Sequence, residues 1–210
     1  MRAKTVSYDP SIFNVETIED AMQIIVTPEA GMTSRRRWAV ETPYLISLID
    51  RHLITRSIVL DYGCGIGRLA KPIIETYGCE VIGVDISPNM RALAESRVND
   101  YRFMTLPPEM LHLLRPEACD LAIAVWTLQH TFGIRLDVDR IAKMLRPGGK
   151  LFVVNNIGRV VPTSGGWIDD GVDVRAVLQD QFTELEYSQL GDEIAPSPFR
   201  ESTFRGLYQK

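Results

Sequence analysis

The chain has 210 residues, of which 45% are hydrophobic and 24% charged, with a formal net charge of −4. That length suits one α/β domain with one core, and the acidic balance argues against a nucleic-acid binder working through a broad basic face. The three cysteines, Cys64, Cys79 and Cys119, lack C-x-x-C spacing, which argues against a disulfide framework and a structural zinc site and for a reducing compartment.

No run of about 18 apolar residues is present, so no transmembrane helix is expected. Met1-Arg2-Ala3-Lys4 leads into polar sequence rather than the apolar stretch of a signal peptide. A cytoplasmic protein is the expectation, with no metal and neither membrane nor nucleic acid as a partner.

Ile18, Met22, Ile25 and Val26 recur at helical spacing, which predicts a short helix, broken by Thr27-Pro28-Glu29 and Gly31. Thr33 or Ser34 suits the cap of a second helix from about Arg35 to His52. Within it, Arg35 and Arg36 read as a solvated face. Ser57 to Tyr62 is a short apolar run closed by glycines, hence a buried strand. A helix from about Arg68 to Tyr77 ends at Gly78, and Glu80 to Asp85 is the second strand. Ser87 suits a helix cap and Pro88 a first helical turn, so the next helix runs from there to about Asn99. Tyr101 to Thr105 is a weaker third strand. Leu121 to Trp126, entered through Asp120, is the fourth. A helix around Val138 to Leu145 stops at Pro147-Gly148-Gly149, and Lys150 to Asn155 is the fifth strand.

Such alternation predicts a parallel sheet covered on both faces. After Asn156 it loosens. Residues 158 to 171 hold four glycines, a proline and two aspartates and read as an irregular segment over the sheet edge. Phe182 to Gln189 and Ser202 to Gln209 read as two closing strands with an antiparallel finish.

The first strand delivers Asp61-Tyr62-Gly63-Cys64-Gly65-Ile66-Gly67. Glycines in a strand-to-helix turn let a ligand approach the backbone closely. Asp85, ending the second strand, is spaced to meet ribose hydroxyls. A nicotinamide dehydrogenase shares that layout, but its G-x-G-x-x-G fingerprint needs a glycine where Arg68 stands; here the glycine falls one place early, at Gly67.

VLDYGCGIGRLA (59 to 70) resembles motif I of the class I S-adenosylmethionine-dependent methyltransferases. VIGVDIS (81 to 87), ACDLAIAVWTLQH (118 to 130) and MLRPGGKLFVVN (144 to 155) resemble that family's later motifs, in its order and at its separations. The resemblance implies a three-layer Rossmann-like α/β fold with a seven-stranded, mostly parallel sheet, an antiparallel last strand and helices on both faces. It implies one methyltransferase domain over 1–210. Residues 1–55 are then an N-terminal helical cap, 56–156 the cofactor-binding half, and 157–210 a substrate-side insertion with the terminal strands.

Carried over residue by residue, the resemblance places Gly63, Cys64, Gly65 and Gly67 along the methionine and ribose of S-adenosylmethionine. Asp61 orders that loop and favours the ammonium group. Asp85 meets the ribose hydroxyls, and Ile86 lies against the adenine. Met104 and Thr105 border the adenine edge, although the acid that many relatives place at that turn is missing from Phe103-Met104-Thr105-Leu106. TSRRRWAVET (33 to 42) resembles an N-terminal helix of a bacterial branch, which gives Arg37 the cofactor carboxylate and Trp38 a shielding role. Trp126 is packing or a cofactor wall.

Methyl transfer to a small-molecule acceptor is the function implied. A non-catalytic cofactor-binding module of the same fold is the alternative, and an aminopropyltransferase fits less well because the TLQH stretch lacks acids for a polyamine. His130 follows the fourth strand. It either takes a proton from a hydroxyl or amine acceptor or orients a loop by hydrogen bonding. Acceptor choice is expected in residues 1 to 40 and in the irregular stretch 158 to 173, where Val160, Val161, Trp167 and Ile168 are apolar enough to line a pocket.

Overall fold

Alternate residues of the central strands fall into two different cores, and this parity organises the molecule. The computed structural model describes residues 7–28, 31–190 and 202–210. Met1 to Lys4 and Glu29, which entered the sequence reading, lie outside them. Nine strands occur in the described residues: β1 (Ile58–Tyr62), β2 (Glu80–Val84), β3 (Phe103–Leu106), β4 (Cys119–Val125), β5 (Leu145–Asn156), β6 (Gly158–Thr163), β7 (Gly166–Asp173), β8 (Thr183–Gln189) and β9 (Thr203–Gln209). Seven form one sheet in the order β3-β2-β1-β4-β5-β9-β8, and β6 pairs with β7 apart from it. Only β9 in this sheet runs against the rest, antiparallel to both β5 and β8. The expected seven-stranded, mostly parallel sheet with an antiparallel last strand is therefore present.

Leu60 and Tyr62 of β1, Ala122 and Ala124 of β4, and Leu151 and Val153 of β5 face one core. Val59, Leu121, Ile123, Phe152 and Val154, their immediate neighbours, face the other. Side chains alternate across a strand, so apolar residues at every position mean cover on both sides. Helices α3 (Ala70–Tyr77) and α5 (Ile134–Met144) supply that cover on opposite faces, through Ile73 and Ile74 on one and Val138 and Ile141 on the other. The remaining helices are α1 (Ile18–Ile25), α2 (Ser34–Ile49), α4 (Pro88–Val98) and α6 (Val174–Gln179).

Local chemistry sets the helix ends. Thr17 accepts from Asp20 N–H at 3.1 Å to start α1, Thr33 from Arg36 N–H at 3.3 Å to start α2, and Ser87 from Met90 N–H at 3.2 Å to start α4. Each oxygen satisfies a donor that the first helical turn leaves open. Gly78 ends α3 in the left-handed region, at φ 68°.

Four differences from the sequence reading bear on the site. β3 ends at Leu106 rather than Thr105. α5 begins at Ile134, because Ile134, Val138 and Ile141 make one buried stripe. Pro147-Gly148-Gly149 lies inside β5 as a bulge: Cys119 pairs with Leu145, and the register resumes at Leu121 with Lys150. Residues 158 to 171, expected to be irregular, form the β6–β7 hairpin. Thr163 Oγ1 ties its turn to Gly165 and Gly166, and Gly166 takes a φ of 109° that other residues avoid. Of the four glycines there, Gly165 and Gly166 make the turn, while Gly158 and Gly171 lie within the strands.

Candidate active site

The carboxyl ends of β1, β2 and β4 open on one cavity of about 830 Å3, a size that suits small molecules. One half is built by main chain. Gly63 has a φ of +81°, and a Cβ there would lie 2.1 Å from Thr127 Oγ1. Glycine is thus required both by conformation and by the contact of the β1 and β4 loops. Gly65 N–H donates to Asp85 Oδ2 and Ser87 N–H to Asp85 Oδ1, both at 2.9 Å. Each Asp85 oxygen keeps capacity for a ligand hydroxyl. Burial pushes the Asp85 carboxyl up, while the two amides and Arg91 oppose that shift.

Asp61 lies behind this turn and is not part of the cavity wall. Burial pushes its carboxyl up to about 7, the Asp85 charge adds to the shift, and the Ala70 amide opposes it. Its Oδ2 is buried with no hydrogen-bond partner among the described residues. A buried orphan oxygen beside a glycine turn is the sort of defect that a ligand cation relieves.

Gly63, Gly65, Asp85, Ile86, Trp126 and Arg37 line the cavity. Besides Asp61, five residues expected with them do not. Gly67 packs on α4, where a Cβ would meet Val98 at 2.7 Å. Cys64 is buried with its Sγ against Gly83, and burial pushes its thiol well up; it is a packing residue. Trp38 is held between the guanidinium groups of Arg68 and Arg97, at 5.1 and 5.3 Å from its ring centre. One helical residue turns the side chain by about 100°, which is why Arg37 reaches the cavity and Trp38 does not. Arg37 is itself paired with Glu41, and Glu41 also accepts from Arg68 at 3.1 Å.

Met104 and Thr105 are the other two. Both lie inside β3, opposite Ile82 and Gly83, and Thr105 donates to Glu95 at 2.6 Å. The turn that reaches the wall comes later and contributes Pro108 and Glu109. Glu109 is an acid on that part of the wall, three positions past the end of β3 at Leu106. Trp126 lines the cavity with a φ of +57°, a costly backbone state for a bulky residue. Its N–H donates to Val154 O at 2.7 Å.

His130 stands in the other half. Gln129 Oε1 accepts from Asn156 N–H at 2.6 Å, which fixes the amide orientation and directs Nε2 of Gln129 at His130 Nε2, 2.9 Å away. His130 Nε2 is thus the acceptor, and Nδ1–H donates to Val160 O at 2.7 Å. Burial lowers the His130 pKa. Both ring nitrogens are engaged in this arrangement, so the lone pair that a base would use lies in the hydrogen bond with Gln129. His130 pins the β6–β7 hairpin, which Asp9 N–H to Pro162 O and Arg159 to Thr131 O and Phe132 O also hold. Of the four apolar hairpin residues singled out in the sequence, only Trp167 reaches the wall.

The sequence reading missed a third group on this wall, Tyr62, Asp137 and Arg140. Tyr62 OH donates to Asp137 Oδ1 at 2.5 Å, and Arg140 Nη1 donates to the same oxygen at 2.8 Å. The spacing of Asp137 and Arg140, three apart on one helix, signals a pair, but nothing local places it opposite the glycine turn.

Residues 60–153 match the family model described as a methyltransferase domain. The chain is 32% identical over 120 residues to the Saccharomyces cerevisiae protein named "Probable S-adenosylmethionine-dependent methyltransferase CRG1", covering 52% of this chain and 40% of that one. It is 34% identical over 99 residues to the ubiquinone biosynthesis O-methyltransferase of Nitrobacter winogradskyi, covering 44% and 36%. The chain thus spans less than half the length of either relative. A crystal structure of an S-adenosylmethionine-dependent methyltransferase from Mesorhizobium loti shares the fold, with a TM-score of 0.63 at 17% identity over 81% of this chain and 98% of that one. No described helix is long and apolar enough to cross a membrane.

Proposed function

We propose that this chain, whose residues 60–153 match a methyltransferase domain, is a class I S-adenosylmethionine-dependent methyltransferase that transfers a methyl group from S-adenosylmethionine to a small-molecule acceptor held in the same cavity. The observation that carries this reading is one cavity joining the Gly63–Gly65 turn and Asp85 to a second, aromatic half. When bound, the cofactor supplies a sulfonium methyl group that is activated without help from the protein. The chain's work is to bind and align. Gly63 and Gly65 admit the ligand against the backbone, Asp85 accepts its ribose hydroxyls, and Ile86 and Glu109 border the base. Asp61, through the field of its buried carboxylate behind the turn, favours the ammonium end, and Arg37 the carboxylate.

Trp126 and Thr127, on the loop after β4, stand between the two halves, and His130 further along that loop lies in the second; the acceptor atom would have to line up with the methyl group across them. Alignment of this kind is worth roughly 7–11 kcal/mol when the geometry is near attack. The test is titration calorimetry with S-adenosylmethionine, S-adenosylhomocysteine and the nicotinamide dinucleotides, with Asp85→Ala as control. Micromolar binding of the first two, lost in the variant, is the expected result. Binding of a dinucleotide alone defeats the reading. Cofactor binding with no transfer to a broad metabolite panel leaves a binding module in its place.

A further inference from the structure

We propose that the acceptor is an amine on an aromatic or apolar body, and that Asp137 receives its nitrogen. The reaction part of this inference rests on the methyltransferase reading above; the binding part does not.

Three features of the acceptor half converge on Asp137. First, its carboxylate is fixed on one side only. Tyr62 OH and Arg140 Nη1 both donate to Oδ1. Among the described residues nothing donates to Oδ2, and that oxygen is not among the sealed buried atoms without a partner. It is therefore open, and the cavity is what Asp137 lines. An ionised carboxylate is acceptor-only, so a ligand group meeting Oδ2 must bring N–H or O–H. Asp137 also sits in the first turn of α5, where the helix dipole favours the anion.

Second, the walls around it are rings. His130 lies 4.7 Å from Trp167 and 6.4 Å from Phe13, and Tyr8 lies 5.3 Å from Phe132, centre to centre. All five line the same cavity as Asp137. Aromatic faces beside a carboxylate attract a cation through their quadrupoles and exclude an anion.

Third, the electrostatic balance at those rings is negative. The Tyr8 hydroxyl is pushed up to about 12, mainly by burial and then by the charges of Asp137 and Asp85, with Arg159 opposing. Among the described residues, Arg140 is the cation paired with Asp137, and it is engaged with Oδ1.

An ammonium ion entering this half loses a proton to water before it reacts, and Oδ2 then holds a remaining N–H and orients the lone pair. The nitrogen lone pair forms the N–C bond as the C–S bond breaks, with that bond's electron pair staying on sulfur. The positive charge passes to nitrogen, and the methylated ammonium releases a proton to water.

The experiment uses the full chain loaded with S-adenosylhomocysteine and three probes that share an indole body: tryptamine, tryptophol and indole-3-acetate. Calorimetry should show tryptamine binding at least tenfold tighter than indole-3-acetate, with tryptophol between them. Asp137→Asn should remove that preference while S-adenosylhomocysteine affinity stays within twofold, which also shows that the variant is folded. Tyr62→Phe keeps the carboxylate and should keep the preference. Equal binding, a preference for the carboxylate probe through Arg140, no binding by tryptamine, or a preference that survives Asp137→Asn each overturns the proposal. The wild-type comparison decides the matter even when the variant fails to fold. Failure of S-adenosylhomocysteine itself to bind would sink the methyltransferase reading instead, and the probe series without it still tests Asp137.

Discussion

Gly63, Gly65 and Asp85 shape one half of the cavity through backbone geometry, whereas Tyr62, His130, Asp137 and Trp167 shape the other with side chains from four separate elements. The first half is dictated by short stretches of chain: a turn that tolerates no Cβ and an acid that caps it. The second exists only after β1, the loop following β4, α5 and the β6–β7 hairpin have been brought together. A local structure of the first kind fails all at once when one atom is added. A convergent structure of the second kind should lose its parts singly.

The sharpest way to break the contrast is Gly63→Val. The new side chain would need a left-handed φ and would overlap Thr127, so strain and overpacking together cost about 2–6 kcal/mol. We expect S-adenosylhomocysteine affinity to fall at least about 100-fold by calorimetry, in keeping with that range. An affinity within threefold of the wild type would mean that the turn gives way and does not dictate the cofactor half.

His130→Ala probes the convergent half. Loss of the ring leaves Val160 O and the Gln129 amide without their partner, a cost of about 1–3 kcal/mol. The expected result is a KM for the acceptor raised about tenfold, with kcat less affected and the pH profile unchanged in shape. A kcat lowered by about 100-fold or more, with one limb of the profile lost, would restore the base role.

The same contrast explains what the sequence disclosed. The seven strands, the glycine turn and Asp85 were legible because period-two burial and conformational necessity are written locally. Residues 158 to 171 form a hairpin rather than an irregular segment, since four glycines look alike in a turn and in a loop; the strand pairing, from Gly158 with Asp173 to Thr163 with Gly166, and the Thr163 hydroxyl at the turn make the difference. Trp38 was assigned to the pocket by likeness, but helical phase turned it onto Arg68 and Arg97. Asp137 went unremarked because its partner Tyr62 is 75 positions away in the chain.

Asp61 sits between the two kinds, locally encoded but electrostatically remote. Its folded value of about 7 lies above the ordinary 3.8. Between those values the native state holds more protons than the unfolded chain, so stability falls as pH rises from about 4 to about 7 and is level beyond. A ligand ammonium favours the ionised form, so ligand affinity should move the opposite way. We expect S-adenosylhomocysteine affinity to rise about tenfold between pH 6 and pH 8 and to be flat in Asp61→Asn. A flat wild-type profile would mean that the Asp61 charge does not act on the ammonium group.

The smallest effect concerns Glu109, which the third-strand boundary hid. It lies on the cavity wall beside Pro108 and is exposed, so solvent competes for whatever it binds. A hydrogen bond to an adenine amino group in such a place is worth about 1 kcal/mol, and Glu109→Gln should weaken S-adenosylhomocysteine by about threefold at most. Affinity alone is too blunt a measure for that. Selectivity is better, because a carboxylate only accepts hydrogen bonds while a glutamine amide can turn to donate. With S-inosylhomocysteine, whose base carries an oxygen in place of the amino group, the wild-type carboxylate faces another acceptor and the two repel. The glutamine variant can flip to meet it. The preference for the adenosyl over the inosyl ligand should therefore shrink in Glu109→Gln. An unchanged preference would mean that main chain alone reads the base, extending the backbone-built half of the cavity to its far end.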